Sequence, residues 1–422
     1  MSRVFVLTLD GVPCSLLKEL ELFRDLWGEG DLVQMDSVLP TLSSVAWTNF
    51  QTGRNPGKHG IFGFIDRKLN PFEIYIPLSR DIKSPTVYEL ISESNLNAIS
   101  VNIPLTYPPR HIKGIMVSGF LCTDIKKGTY PPDFSEYLLR MGYIIDVDPS
   151  LAYTDKDKFL KMIYQALERR IDLLDYLLEE EWNLLVFHIM ETDRIQHFFG
   201  KDDPEFLEFF KVLEKKVMEI YKKIPEEVEF IMLSDHGFTG IKYDVNISNW
   251  LEERGYLKFK EDRSRGFNAL GEAVAYSLIP GRVYIAVRSR EPFGIVEKEN
   301  RERMVSELVE QLKEFRAPET EEPVFKKVYR KEELYSGEYI DLAPDIILEP
   351  SYGYNLVSKL DSEWLFQKPR QKGMHTKDDA FLFLKGHRLV IRPQIEDVTT
   401  ILLHFLEIDI PKDLDGRNVL KD

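Results

Sequence analysis

Three short, mainly apolar runs stand out in the chain, at 4–9, 183–190 and 228–233. Runs of this length without alternating polar residues are typical of parallel strands that helices cover on both faces. Between them, apolar residues recur at spacings of three and four, from 154 to 178 and again from 204 to 220, as in amphipathic helices. The pattern predicts an α/β fold with a central, mostly parallel sheet.

Each predicted strand is followed closely by an acidic residue. Asp10 follows the first strand, Asp193 lies just past the second, and Asp235 follows the third with His236 beside it. Open α/β sheets bind their ligands at the carboxyl ends of the strands. We therefore expect these side chains to meet at one edge of the sheet.

The pattern changes after about residue 246. The segment 246–339 carries a predicted strand at 282–287, a charged helix around 304–315 and polar linkers. We therefore predict a catalytic core formed by 1–245 and 340–422, with 246–339 as a smaller inserted α+β subdomain or lid.

Composition narrows the classes of protein that fit. The chain has 422 residues, with 55 Lys and Arg against 70 Asp and Glu, so its net charge is -15. This acidic balance argues against general binding to nucleic acids or to membrane surfaces. Cys14 and Cys122 form no C-x-x-C pair, which excludes a zinc site built from cysteines and fits a reducing compartment. With no signal peptide or bilayer-spanning run evident, we predict a cytoplasmic location.

The segment 39–64 offers candidate nucleophiles. Thr41, Ser43 and Ser44 come just before a helix-compatible apolar turn at 45–47. A hydroxyl at the start of a helix faces the positive end of the helix dipole, where an anion binds well. The same residue types also serve as simple helix caps, and spacing alone does not choose among the three hydroxyls.

Histidine and aspartate spacing suggests metal ligands. Asp193 and His197 are one helical turn apart, so both side chains can face one ion. An exposed i,i+4 contact is the alternative explanation. His236 follows Asp235 directly, and His375 lies in a predicted loop with the sequence Gly-Met-His.

Taken in order, these motifs resemble those of the alkaline phosphatase superfamily, and within it the type I phosphodiesterase/nucleotide pyrophosphatase branch. The resemblance implies a three-layer α/β sandwich with helices on both faces of the central sheet. The matching segments are LTLDG at 7–11, LPTLSSVAWTNFQTGRNPGKHGI at 39–61, ETDRIQH at 191–197, LSDHGF at 233–238 and GMH at 373–375.

The resemblance also implies roles for individual residues. The nucleophile of the family stands nine residues before a Thr-Gly pair, here Thr52-Gly53, which selects Ser43. Two divalent metal ions are implied, Zn²⁺ by preference and Mn²⁺ as the alternative. One ion would be held by Asp193, His197 and His375, and the other by Asp10, Asp235, His236 and the oxygen of Ser43.

The implied activity is hydrolysis of a small phosphorylated substrate, a nucleotide or another phosphodiester, through a phosphoseryl intermediate on Ser43. Asn49 is the candidate for contact with a phosphate oxygen. Alternatives within the superfamily are a phosphomonoesterase or a phosphomutase. A metal-dependent protein that binds a phosphorylated ligand without turnover is the alternative outside enzymes.

Overall fold

The computed structural model describes residues 2–21, 23–260 and 263–421. In chain order the strands are β1 (Val4–Leu9), β2 (Gly30–Met35), β3 (Asp66–Leu69), β4 (Phe72–Tyr75), β5 (Ala98–Val101), β6 (Gly114–Val117), β7 (Thr129–Tyr130), β8 (Leu184–Ile189), β9 (Glu229–Leu233), β10 (Gly237–Gly240), β11 (Tyr243–Asn246), β12 (Leu257–Phe259), β13 (Leu270–Ala273), β14 (Ala275–Leu278), β15 (Arg282–Ile285), β16 (Phe325–Arg330), β17 (Ile346–Pro350), β18 (Tyr354–Val357), β19 (Phe366–Gln367), β20 (Gly373–Thr376) and β21 (Ala380–Lys385).

The α-helices are α1 (Cys14–Leu17), α2 (Phe23–Trp27), α3 (Ser43–Thr52), α4 (Pro56–His59), α5 (Val87–Glu93), α6 (Phe134–Met141), α7 (Leu151–Thr154), α8 (Lys156–Leu177), α9 (Glu191–Phe198), α10 (Pro204–Lys223), α11 (Ile247–Glu253), α12 (Arg301–Lys313), α13 (Lys331–Leu334) and α14 (Asp397–Phe405). Among the residues that the structure describes, no helix is both long and apolar enough to cross a membrane.

The chain forms two compact units. The first comprises residues 1–55, 78–238 and 375–422, and the second comprises 56–77 and 239–374.

The first unit is built on an 8-stranded sheet of order β2-β21-β9-β1-β8-β5-β6-β7. The central strands β9, β1, β8, β5 and β6 run parallel, whereas β21, β2 and β7 pair antiparallel to their neighbours. The predicted mostly parallel sheet is thus confirmed, and β1, β8 and β9 lie at its centre.

Helices cover both faces of this sheet. Alternate residues of β1 enter different cores: Phe5 and Leu7 pack with apolar residues of α8 and α10, whereas Val4 and Val6 pack with those of α3, α5 and α14. Because successive side chains of a strand point to opposite faces, each face needs its own helical layer. The predicted three-layer α/β sandwich is confirmed.

The second unit contains the segment 246–339, together with 56–77, 239–245 and 340–374. Its largest sheet has the order β14-β15-β17-β16. In this unit β17 pairs with β15 and β16. The division of the chain into a core of 1–245 and 340–422 and an inserted segment of 246–339 stays a prediction. Apolar residues of α11 and α12 pack into the core of this unit.

Candidate active site and metal centre

The carboxyl ends of β1, β8 and β9 meet at one edge of the sheet of the first unit. Asp10 follows β1, the helix α9 follows β8 directly, and Asp235 follows β9. His375 also lies at this edge, on the short strand β20, in a segment where the sequence predicted a loop. The gathering expected from the strand ends therefore occurs.

Three side chains form what we call the Asp193 group: Asp193, His197 and His375. Oδ1 of Asp193 lies 3.3 Å from Nε2 of His197 and 3.3 Å from Nε2 of His375. The two imidazole nitrogens are 3.1 Å apart. Asp193 and His197 come from one turn of α9, as their spacing predicted, and their ligand atoms converge with that of His375 on one point.

The second cluster, the Asp10 group, consists of Asp10, Asp235, His236 and Ser43. Nε2 of His236 lies 3.2 Å from Oγ of Ser43, 3.3 Å from Oδ2 of Asp235 and 3.6 Å from Oδ1 of Asp10. Oγ of Ser43 is also 3.4 Å from Oδ1 of Asp10. Asp10, Asp235 and His236 are fully buried, and Ser43 is 4% exposed.

The two groups adjoin one another. The rings of His236 and His375 stack with their centroids 3.7 Å apart. Ligand atoms of Asp10, Asp193 and His236 lie within 4.8 Å of one another. One cluster thus contains all seven residues that the resemblance assigned to metal binding and catalysis.

Each carboxylate has one oxygen held by a donor of the chain. The N–H of Gly11 donates to Oδ1 of Asp235 at 3.1 Å, and Nη1 of Arg194 donates to Oδ2 of Asp193 at 2.9 Å. The indole N–H of Trp47 donates to Oδ2 of Asp10 at 3.1 Å. The other oxygens of Asp193 and Asp235 are buried and accept no hydrogen bond from the residues described here.

Backbone carbonyls fix the orientation of two imidazoles. Nδ1 of His375 lies 3.1 Å from the carbonyl oxygen of Thr41, and Nδ1 of His236 lies 3.0 Å from that of Gly237. A proton on Nδ1 satisfies each carbonyl and leaves Nε2 with a free lone pair, the form in which histidine binds a metal.

Asp10 is braced by a buried histidine on the neighbouring strand. Nε2 of His188 lies 3.1 Å from Oδ2 of Asp10, and its Nδ1 lies 2.8 Å from Oγ1 of Thr8. The ring of His188 also makes an edge contact with the indole of Trp47. His188 therefore supports Asp10 on the side of the carboxylate that faces β8.

The electrostatics of the cluster favour a cation. Burial and the neighbouring carboxylates of Asp10 and Asp193 raise the pKa of Asp235 well above its usual value. Burial and the adjacent ring of His375 lower the pKa of His236 to about 3. Burial alone would raise the pKa of Asp193, but His197 and His375 bring it well below its usual value. Carboxylates crowded together in a buried site are stabilised by added positive charge.

The donor set fits divalent cations. Oxygens of Asp193 and Asp235 are free inside the cluster, the imidazole nitrogens point toward them, and all the donors are oxygen or nitrogen atoms. These are ligands that Zn²⁺ and Mn²⁺ accept.

Among the three candidate hydroxyls, geometry favours Ser43. Oγ1 of Thr41 donates to the carbonyl of Val38 at 3.1 Å. Oγ of Ser44 is fully buried and contacts no hydrogen-bonding group in the described part of the chain. Ser43 begins α3, and its oxygen alone of the three faces Asp10 and His236. The start of a helix supplies backbone N–H groups and a positive dipole end beside it.

Several residues that position α9 were not identified from the sequence. The buried pair of Arg170 and Glu191 has an N···O distance of 2.6 Å. Oγ1 of Thr192 donates to the carbonyl of Asp10 at 2.7 Å, and Nε2 of Gln196 donates to the carbonyl of Gly11 at 3.0 Å. Asp193 and His197 thus project from a helix that is anchored at its first turn and along its length. The one sequence feature that could have indicated these contacts is the Asp-Gly pair at 10–11, because such a pair marks a tight turn.

Asn49 does not join the cluster. It is 1% exposed, and its amide donates to Oε2 of Glu396 at 3.4 Å. It lies six positions after Ser43 in α3, about 9 Å along the helix axis. Its contact with a phosphate oxygen stays a prediction.

The sequence model of one family, type I phosphodiesterase/nucleotide pyrophosphatase, matches residues 4–378. No curated protein matches the chain.

Solved structures with the same fold include murine ectonucleotide pyrophosphatase/phosphodiesterase 5, with a TM-score of 0.61, 13% identity and 100% coverage of both chains. An inactive variant of that murine protein in complex with AMP has a TM-score of 0.62, 13% identity and 100% coverage of both chains. Phosphonoacetate hydrolase from Sinorhizobium meliloti, in complex with phosphonoacetate, has a TM-score of 0.63 at 15% identity, with 96% of this chain and 95% of that chain covered. At these identities the likeness concerns the fold.

Proposed function

Since the chain belongs to the type I phosphodiesterase/nucleotide pyrophosphatase family, we propose that it hydrolyses phosphodiesters, with Ser43 as nucleophile and two divalent metal ions as cofactors. The single observation that carries this proposal is the position of Oγ of Ser43. It lies 3.2 Å from Nε2 of His236 and 3.4 Å from Oδ1 of Asp10, beside a cluster of converging oxygen and nitrogen donors.

The Asp193 group would hold one ion, and the Asp10 group, including the oxygen of Ser43, would hold the other. When bound, the ions would act as Lewis acids on the phosphoryl group and favour loss of the Ser43 proton near neutral pH. We propose Zn²⁺ because the imidazole-rich donor set suits it, with Mn²⁺ as the alternative.

The chain's own groups account for the rest of the reaction. Ser43, its proton lost to water, forms a bond to phosphorus while the bond from phosphorus to the leaving oxygen breaks, and that oxygen takes a proton from water. The product is a phosphoseryl ester that keeps the second ester group of the substrate. Water then hydrolyses this ester, which restores the hydroxyl of Ser43 and releases a phosphomonoester.

Backbone geometry supports the binding of the phosphoryl group. Ser43 is the first residue of the ten-residue helix α3, and the first turn carries no acidic residue. The unpaired N–H groups and positive dipole at such an end stabilise the charge of a phosphoryl oxygen.

Two observations on similar structures support a small phosphorylated substrate. An inactive variant of the murine structural neighbour is in complex with AMP, and the bacterial neighbour is in complex with phosphonoacetate. We propose a nucleotide or another small phosphodiester. Phosphomonoester hydrolysis is the alternative that the following assay separates.

The test compares turnover of bis(p-nitrophenyl) phosphate and p-nitrophenyl phosphate by the metal-loaded protein. The variants are Ser43→Ala and, as a matched control, Ser44→Ala, which removes a neighbouring buried hydroxyl that lacks a partner in the described structure. We expect preference for the diester, and a loss of at least about a thousandfold in kcat for Ser43→Ala but not for Ser44→Ala.

Equal activity of Ser43→Ala and the wild type would remove Ser43 as nucleophile. Turnover of the monoester alone would replace the proposal with a phosphomonoesterase. Acid quenching during turnover followed by mass spectrometry of the peptide that contains Ser43 would detect the covalent ester directly.

A further inference from the structure

An ion-pair chain runs from the Asp193 group to a loop that no motif covers. Nη1 of Arg194 donates to Oδ2 of Asp193 at 2.9 Å. The same guanidinium donates from Nε and Nη2 to the two oxygens of Asp146, at 3.0 and 2.6 Å. Asp146 lies between α6 and α7, 48 positions before Arg194 in the sequence.

From this geometry we propose that Arg194, held by Asp146, is a positioning residue for the metal ion of the Asp193 group. This inference rests on the proposed function only in requiring that the Asp193 group bind an ion. By occupying Oδ2, Arg194 would leave Oδ1 of Asp193 as the ligand.

The guanidinium is fixed from several sides. Its side chain is 10% exposed, and the ring of Phe120 lies 5.0 Å from its central carbon. Asp146 is fixed in turn, because its Oδ1 also accepts the N–H of Val147 at 2.8 Å. A planar fork held by a bidentate carboxylate and an aromatic ring has little freedom to rotate.

The orientation of the Asp193 carboxylate matters because the two oxygens of an unrestrained carboxylate are equivalent. The last torsion of an aspartate side chain is broad and nearly two-fold, so either oxygen could turn toward the histidines. With Oδ2 bound to Arg194, Oδ1 stays 3.3 Å from the Nε2 atoms of both His197 and His375. The ligand atoms are thus arranged before an ion arrives.

Asp146 also cancels the charge that Arg194 brings. Asp146, Arg194 and Asp193 together carry the net charge of one carboxylate, so the attraction of the group for a cation is not lost. This permits a test that separates orientation from charge. The double variant Asp146→Asn/Arg194→Gln keeps the net charge of the three residues while removing both ionic links.

The experiment is calorimetric titration of the metal-free full-length chain with Zn²⁺, which counts the sites and measures their affinities. In the wild type we expect two ions. In the double variant we expect one site to weaken about tenfold to a hundredfold, as is usual when a group that orients a metal ligand is lost. Visible absorption bands of the Co²⁺-loaded protein provide a second readout, because they report ligand geometry and should change in the double variant.

The matched control is Glu89→Gln/Arg110→Gln, which removes a part-buried ion pair of the same unit, in which Nη1 of Arg110 donates to both carboxylate oxygens of Glu89. It should change neither the affinities nor the Co²⁺ spectrum. Two-site binding in the double variant with wild-type affinities and spectrum would overturn the positioning role while leaving the proposed hydrolase intact. Absence of Zn²⁺ binding in the wild type would overturn both proposals. Loss of turnover in the Ser43→Ala variant would support the proposed hydrolase and would not change the conclusion about Arg194.

Discussion

Gly11 connects the first predicted strand to the candidate metal centre, and alanine at this position tests how tightly the cluster is packed. Its backbone has φ +66°, in the left-handed region. A Cβ added there would lie 2.9 Å from Cε1 of His236 and 2.9 Å from the ring of Phe238. The N–H of Gly11 also donates to Oδ1 of Asp235. The variant Gly11→Ala therefore acts on both Asp235 and His236 of the Asp10 group.

Two energies contribute to the expected loss of stability. A left-handed backbone costs alanine about 1 kcal/mol more than glycine. Relief of contacts at 2.9 Å requires buried side chains to shift, which typically costs about 1–3 kcal/mol. We expect the free energy of unfolding of the metal-free chain to fall by about 2–4 kcal/mol, and Zn²⁺ binding by the Asp10 group to weaken by at least about tenfold.

Gly386→Ala is the matched control. Gly386 has φ +74°, but no described atom lies within 4 Å of the position of an added Cβ. It carries the backbone penalty of about 1 kcal/mol without the steric one. Urea unfolding of the metal-free variants and calorimetric titration with Zn²⁺ give the two quantities. If Gly11→Ala loses no more stability than Gly386→Ala and binds two ions as tightly as the wild type, the close fit of Gly11 against His236 is wrong.

Two further substitutions test the separate groups. Trp47→Phe keeps an aromatic ring but removes the N–H that donates to Asp10 at 3.1 Å; a hydrogen bond to a charged group contributes about 1.5–3 kcal/mol, so we expect weaker Zn²⁺ binding by the Asp10 group in titrations. Trp182→Phe is its control, because the buried indole N–H of Trp182 has no partner in the described structure, and equal titration curves for the two variants would contradict the role of Trp47. His375→Ala should reduce the bound Zn²⁺ measured by elemental analysis from two ions to one, since its Nε2 belongs to the Asp193 group; retention of two tightly bound ions would refute the assignment.

Local sequence patterns identified the parts of the fold that depend on local chemistry. The apolar runs marked β1, β8 and β9, and the acidic residues after them marked one edge of the sheet, because strand burial and strand ends are properties of neighbouring residues. The choice of Ser43 over Ser44 and Thr41 needed the family resemblance, since three neighbouring hydroxyls have the same chemistry. In the structure the three hydroxyls face different groups, and these neighbours are brought together only when the chain folds.

Long-range contacts could not be predicted from the sequence. The pairing of Asp146 with Arg194 joins residues 48 positions apart, with no periodicity or spacing to indicate it. The apolar run at β17 reads as a core strand, and only its pairing with β15 and β16 assigns it to the second unit.

The residues between the ligands explain why the motifs form one site rather than separate ones. Gly11 follows Asp10, yet its N–H donates to Oδ1 of Asp235, which follows β9. Thr192 precedes Asp193, yet its hydroxyl donates to the carbonyl of Asp10, which follows β1. Gln196 in turn holds the carbonyl of Gly11. Each motif supplies the donor or acceptor that positions a neighbouring motif, so a change in one displaces side chains that belong to another. The Asp193 group and the Asp10 group should therefore respond to substitutions as a coupled pair.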